Sequence, residues 1–234
     1  FTPPMPENTP FIVTLDGPAG VGKSTLAQSV AEAFDLAYLD TGAMFRSLAL
    51  FLGDQSWTWS TMALEEKLHK LEFRLSGQGS STALTVNATP IGTEIRREEI
   101  GLWASSLGQR VEVRTFLKNA QQAIGCSTSL VAEGRDMGTV VFPSAECKIF
   151  LDASAEERAR RRCHQLYELG YQADVQEVAR DLRERDNKDR SRVQAPLRPA
   201  TDANIVDTTD LNLKQVWDII YDLVSESLTP HVGS

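Results

Sequence analysis

Residues 17–24 read Gly17-Pro18-Ala19-Gly20-Val21-Gly22-Lys23-Ser24, which meets the spacing G-x-x-x-x-G-K-[ST] at every position. Glycines let a backbone turn tightly enough that several N–H groups point at one anion. Lys23 adds a point charge for β- and γ-phosphates, and the Ser24 hydroxyl suits Mg²⁺. The flanks fit this chemistry. Phe11–Leu15 is a short apolar run that reads as a buried parallel strand. Leu26, Val30, Ala33 and Phe34 then recur at helical spacing, so a helix starting near Lys23 aims its positive end at the phosphate. The nucleotide-binding set expected from this stretch is Gly17, Pro18, Ala19, Gly20, Val21, Gly22, Lys23, Ser24 and Thr25.

A second concentration of chemistry follows the apolar run Leu130–Ala132, where Glu133-Gly134-Arg135-Asp136-Met137-Gly138 sets an Arg-Asp pair between glycines. Open α/β sheets bind ligands beyond the carboxyl ends of their strands, so Arg135 and Asp136 are expected at the same end as the phosphate loop. A loop salt bridge is the plainer alternative. Further on, Ala155–Leu169 reads as a helix carrying Arg158, Arg160, Arg161 and Arg162; Arg158, Arg161 and Arg162 fall at i, i+3 and i+4, hence on one face. Gly170-Tyr171 breaks it, and Val175–Asn187 is a second helix running into an arginine-rich stretch through Arg192. The pair reads as a hairpin lid. Runs of charge are usually solvated faces, yet phosphoryl transfer needs movable positive charge over the transferred group. Arg46, one turn into a helix after an expected turn at Asp40-Thr41-Gly42, and the pair Arg110 and Arg114 are plain surface arginines on spacing alone.

These groups must be positioned by a chain of 234 residues, enough for one α/β domain with insertions. Apolar residues make up 41% and the net charge is −8, which argues for a soluble fold and against wholesale binding to nucleic acid. Any anion site must then be a local arginine cluster. Cys126, Cys147 and Cys163 have neither paired nor metal-ligand spacing and fit buried fillers in a reducing cytoplasm. No signal peptide and no membrane span are expected, and the first ten residues read as a disordered lead-in. Residues 54–71 look helical, with Met62, Leu64, Leu68 and Leu71 apolar. Alternation over 72–92 marks a small antiparallel β-unit, which could move as a clamp. Helices follow from about Arg96 to Leu107 and from Val111 to Ile124, strands at Lys148–Asp152 and Asn204–Asp207, and a closing helix at Leu213–Leu228. The fold class is therefore α/β: a doubly wound parallel sheet of the P-loop NTPase type. Its core is 11–53 with 94–234, the lid about 155–192, and a substrate-binding insertion spans 54–93.

Asp16-Gly17-Pro18-Ala19-Gly20 and Leu39-Asp40-Thr41-Gly42-Ala43-Met44-Phe45-Arg46 look like the opening of a nucleoside monophosphate kinase. Glu133-Gly134-Arg135-Asp136-Met137-Gly138-Thr139-Val140-Val141-Phe142-Pro143, with Phe150–Ser154, is similar to the bacterial-type cytidylate kinase family. So is Arg185-Asp186-Asn187-Lys188-Asp189-Arg190-Ser191-Arg192 followed by Ala195-Pro196-Leu197. Thr41 stands where a serine is common, and Glu133 where an aspartate is common. The resemblance implies that ATP, with Mg²⁺ placed by Ser24, phosphorylates CMP and dCMP by direct in-line transfer. It implies that Thr41, Arg46, Ser105, Arg114, Arg135, Asp136, Arg185, Asp189 and Arg192 bind the acceptor. Among these, Arg46, Arg135 and Arg192 grip its phosphate, Ser105, Arg114 and Asp136 read cytosine, and Arg185 and Asp189 hold the sugar. Lys23, Arg135, Arg158, Arg161 and Arg162 form the catalytic set. His69, His164 and His231 need no role. Rival readings are a UMP-type kinase and a nucleotide switch without turnover; a cytoplasmic monomer without nucleic-acid or membrane partners is expected.

Overall fold

The computed structural model describes residues 9–168 and 170–229. Most of the expected lead-in, Leu169 at the end of the first arginine helix, and His231 lie outside them. In chain order the elements are β1 (Ile12–Asp16), α1 (Lys23–Ala33), β2 (Ala37–Asp40), α2 (Thr41–Leu52), α3 (Thr61–Leu68), β3 (Phe73–Ser76), β4 (Ala83–Val86), β5 (Thr89–Pro90), α4 (Glu98–Leu107), α5 (Val111–Gly125), β6 (Leu130–Gly134), β7 (Cys147–Asp152), α6 (Ala155–Glu168), α7 (Val175–Arg190), β8 (Asn204–Asp207) and α8 (Leu213–Leu228). A central parallel sheet of five strands runs in the order β2-β6-β1-β7-β8, and a three-stranded sheet in the order β3-β4-β5. β1 pairs with β7 in parallel from Val13↔Cys147 to Asp16↔Phe150, and β7 pairs with β8 from Ile149↔Asn204 to Asp152↔Asp207. The small sheet is antiparallel, Phe73↔Val86 through Ser76↔Ala83. This is the expected α/β class.

The described residues form two compact units, one of Val13–Val30 with the described residues from 133 to 229, the other of Ala31–Ala132 with residues 9–12. In the first, β1 is buried on both faces, as a strand at the centre of a parallel sheet must be: Val13, Thr14 and Leu15 are inaccessible and Asp16 nearly so. α8 contributes Val216, Ile220 and Val224, four residues apart and all buried, so one stripe of the helix faces the core. Its start is fixed by a capping box in which Asn212 and Gln215 exchange side-chain–backbone bonds of 3.0 Å each. α6 and α7 pack against each other as the hairpin read from the sequence.

In the second unit, the expected turn at Asp40-Thr41-Gly42 is absent. β2 runs directly into α2, because the Asp40 carboxylate accepts from the Ala43 amide at 2.8 Å and acts as an N-cap. The helix expected over 54–71 is shorter. A single turn at Ser56–Thr58 precedes α3, where Leu64 and Leu68, four residues apart, share the buried face and Met62 is exposed; Leu71 is buried beyond the helix end. The small sheet is tied down at its 79–82 turn. Gly79 N–H donates to Leu36 O at 2.8 Å, Ser80 N–H to the Glu32 carboxylate at 2.7 Å, and Tyr38 N–H to the Thr82 hydroxyl at 3.2 Å. A clamp motion of this sheet has to carry the end of α1, Leu36 and β2 with it or break these bonds. Arg110 is no solvated partner of Arg114. It donates to the carbonyls of Trp57 and Trp59 at 2.7 and 2.8 Å and to Glu112, so it holds the tryptophan turn. Filler is an apt description of Cys147, which is buried, but not of Cys126, which is exposed.

Candidate active site

The phosphate loop joins β1 to α1, and one position shows why the motif needs glycine. Gly17 has φ +149°, and a Cβ there would lie 2.1 Å from the Leu151 carbonyl oxygen. Lys23 opens α1 with its side chain folded onto the loop, Nζ donating to Pro18 O at 2.6 Å. Burial holds the Lys23 ammonium well below its ordinary range, and repulsion from Arg135 adds to this, while Glu133 and Asp16 oppose it and Arg185 lowers it further. Arg185 is itself exposed on α7, yet its charge reaches this lysine. Ser24 donates its hydroxyl hydrogen bond to Glu133 at 3.0 Å, linking the loop to the end of β6. Thr25 is exposed on the first turn of α1, its carbonyl accepting from Ser29.

Beyond β6 the backbone makes one π-helical turn, Met137–Val141, with the Val141 and Phe142 amides bonding to Asp136 O and Met137 O at 3.2 and 2.7 Å. Asp16, the last residue of β1, anchors this turn. Its two oxygens accept from Met137 N–H at 2.9 Å and Gly138 N–H at 2.8 Å. Burial pushes the Asp16 carboxyl up to about 6, against those two amides, with repulsion from Asp136 adding to the rise. Gly138 admits this approach because a Cβ there would sit 3.0 Å from the Thr14 hydroxyl. Asp136 is buried to 6% exposure. Arg135 donates through Nε to Asp189 at 2.9 Å, and Arg192 donates to the other oxygen of the same carboxylate. Asp189 thus gathers two cations that would otherwise repel each other.

The arginines of α6 part company. Arg158 is 3% exposed and donates to Ala153 O at 3.0 Å, Ala19 O at 2.9 Å and Asp186 at 2.5 Å. Arg161 turns to Thr208, donating to its hydroxyl at 3.1 Å and its carbonyl at 2.5 Å, and to Glu157. Arg162 is exposed. The shared face expected from their spacing is split because α6 meets different neighbours along that face: α7 and the phosphate loop at Arg158, the segment after β8 at Arg161.

In the other unit, Thr41 is buried at the start of α2. Arg46 donates to Ile95 O at 3.1 Å and lies against Gly101, where a Cβ would come within 3.0 Å of its guanidinium nitrogens. Partial burial lowers the Arg46 pKa, Arg96 adding to this and Asp40 opposing it. Arg114 donates to Gly108 O at 3.4 Å and stands 5.9 Å over the Phe45 ring. Ser105 is exposed near the end of α4. His69 and His164 are exposed, consistent with their plain surface reading. Asp16 and Asp186 lie within the segments quoted for the resemblance, but the sequence assigns them no role, because their partners lie 121 and 28 residues away.

The model of the cytidylate kinase family matches residues 13–226. The chain belongs to the cytidylate kinase family. It is 55% identical over 211 residues to the cytidylate kinase of Maridesulfovibrio salexigens, covering 90% of this chain and 95% of that one. It is 54% identical to that of Oleidesulfovibrio alaskensis, covering 90% and 96%. The cytidylate kinase of Lawsonia intracellularis is 43% identical, covering 95% and 97%. The residues that carried the resemblance, Glu133–Pro143 and Arg185–Arg192, fall inside the span shared with the family. Among the described residues of this family member, no helix is long and apolar enough to cross a membrane.

Proposed function

We propose that the chain transfers the γ-phosphoryl group of ATP to CMP and dCMP, yielding ADP with CDP or dCDP. The observation that supports this reading is a pair of distinct cationic features within one unit of an acidic protein. One is the glycine-framed loop with Lys23 at the head of α1. The other is the Arg135–Arg192 pair gathered on Asp189. Two phosphate-bearing substrates need two such places, and membership of the cytidylate kinase family supplies their kind.

In this reading the backbone N–H groups of residues 17–25 other than Pro18, with Lys23, hold the donor phosphates. Lys23 leaves the Pro18 carbonyl for a phosphate, and the added negative charge favours its protonated form. Arg46, Arg135 and Arg192 grip the acceptor phosphate, their planar forks suited to bidentate contact. Ser105, Arg114 and Asp136 read cytosine; an ionised Asp136 accepts from the exocyclic amine and repels the uracil carbonyl. Thr41, Arg185 and Asp189 contribute to nucleoside and sugar binding. Arg161 and Arg162 supply charge from the lid on closure, and Arg158 acts from its buried position beside the loop. No covalent intermediate is needed, since positioning and charge stabilisation account for most of such a transfer. The Ser24 hydroxyl and the Glu133 carboxylate, 3.0 Å apart, form a hard oxygen set that fits Mg²⁺. Bound there, the ion would neutralise charge on the donor phosphates. Residues 54–93 act as the substrate-binding insertion, and the protein works as a cytoplasmic monomer.

The test is ADP release in a coupled assay with CMP, dCMP, UMP and AMP offered in turn. CMP and dCMP are expected to give the highest kcat/KM. ADP release that ignores the acceptor, or that favours UMP, overturns the reading.

A further inference from the structure

α7 carries two buried carboxylates one turn apart, Asp186 at 7% exposure and Asp189 at 4%. Residues three apart lie on one helical face, yet these two answer to different parts of the molecule. Asp186 accepts from Arg158 at 2.5 Å, and the same guanidinium holds the Ala19 carbonyl of the phosphate loop at 2.9 Å. Asp189 accepts from Arg135 and Arg192, and its main-chain oxygen accepts from Leu197 N–H at 2.9 Å. One rigid turn of helix therefore separates the grip on the loop from the grip on the two arginines.

We propose that Asp186 is a positioning residue that couples donor binding to acceptor binding, acting through Arg158 on the phosphate loop and through α7 on Asp189. This rests on the roles given above to the loop and to Arg135 and Arg192. The physical link at the loop is a single peptide plane. The Ala19 carbonyl and the Gly20 amide belong to one planar unit, so holding the carbonyl fixes the direction of an N–H that faces the donor. A phosphate that turns the amide must move the carbonyl, and with it Arg158. Arg158 cannot let go freely: it is 3% exposed, and losing Asp186 would leave a buried charge unpaired. Asp186 has no competing attachment either, because its second oxygen is buried without a hydrogen-bond partner among the described residues. Displacement of the loop thus reaches Asp186, and α7 delivers it one turn later to the carboxylate that sets Arg135 and Arg192. Coupling of this kind is reciprocal, so bound CMP must tighten the donor by the same factor.

The experiment is calorimetric titration of CMP into the protein, alone and with saturating β,γ-imido-ATP and MgCl₂. In the wild type the analogue is expected to tighten CMP by about fivefold or more. In Asp186→Asn that ratio is expected to fall towards one, while CMP affinity without the analogue stays within about twofold of wild type. Because a lone Asn beside Arg158 can weaken folding, Asp186→Glu is measured beside it; it keeps a carboxylate for the buried guanidinium and should keep the ratio well above that of Asp186→Asn. A wild-type ratio retained in Asp186→Asn, a ratio lost as fully in Asp186→Glu, or equal weakening of CMP with and without the analogue, overturns the coupling and leaves the site reading standing. Failure of the wild type to bind CMP at all overturns the site reading and the coupling with it.

Discussion

Replacing Asp16 with asparagine should make the stability gap between wild type and variant depend on pH in one direction only. In the folded chain the Asp16 carboxyl is raised from 3.8 to about 6, chiefly by burial. Each tenfold change in proton affinity is worth roughly 1.4 kcal/mol. Between the two values the folded chain binds a proton that the unfolded chain releases, so the stability this residue contributes falls as pH rises through that window and is level above it. The full swing is about 3 kcal/mol, of which about 1 kcal/mol lies between pH 8 and pH 5. Asparagine has no charge to lose and offers one acceptor to the two amides of Met137 and Gly138. At pH 8 the lost bond, about 1–3 kcal/mol, is offset by removal of a carboxylate that is disfavoured when ionised, so the two proteins should be close. Urea unfolding of both at half-unit steps from pH 8 to pH 5 reads the effect, because titrating groups that do not interact with Asp16 cancel in the difference. Wild type should gain steadily on the variant as pH falls. A flat difference, or one that favours the variant at low pH, refutes the argument that burial dominates at Asp16.

Lys23→Ala should lower transfer by about 10²–10³-fold, as for loss of one preorganised donor, with the far-ultraviolet circular dichroism of the wild type; near-normal ADP release from a folded variant removes Lys23 from the donor site. Asp136→Asn should narrow the CMP-to-UMP ratio in kcat/KM by about 1–3 kcal/mol, and an unchanged ratio means that Asp136 does not read the base. Gly17→Ala places a methyl group 2.1 Å from Leu151 O; thermal unfolding should show a loss of about 3 kcal/mol or more, and a variant as stable as wild type would show that the loop moves aside.

The phosphate loop could be read from the chain because its chemistry is local. Eight consecutive residues supply the turn, the amides, the lysine and the hydroxyl, and a strand and a helix flank them within a few residues. α8 is legible for a related reason: its periodicity reports which face is apolar, and the core covers the stripe of Val216, Ile220 and Val224. Asp40 is instructive, since an aspartate before an apolar helix can signal a turn or an N-cap, and only the 2.8 Å bond to Ala43 decides for the cap. The Arg-Asp segment after β6 could be placed by its strand, but what holds it could not. The amides that fix it are bonded by Asp16, on a strand 121 residues earlier in the chain.

The same limit governs the arginines. Spacing put Arg158, Arg161 and Arg162 on one helical face, and geometry alone guarantees that much. What each of them meets is set by tertiary packing. Arg158 finds Ala19, 139 residues away, and Asp186 on the neighbouring helix; Arg161 finds Thr208; Arg162 stays in solvent. A charged side chain at a given helical position has the same local propensity whether it ends buried among carbonyls or hydrated. Helix periodicity carries the angle at which a side chain leaves the axis, but the partner that satisfies its charge comes from a distant segment, and only the folded chain brings that segment into reach.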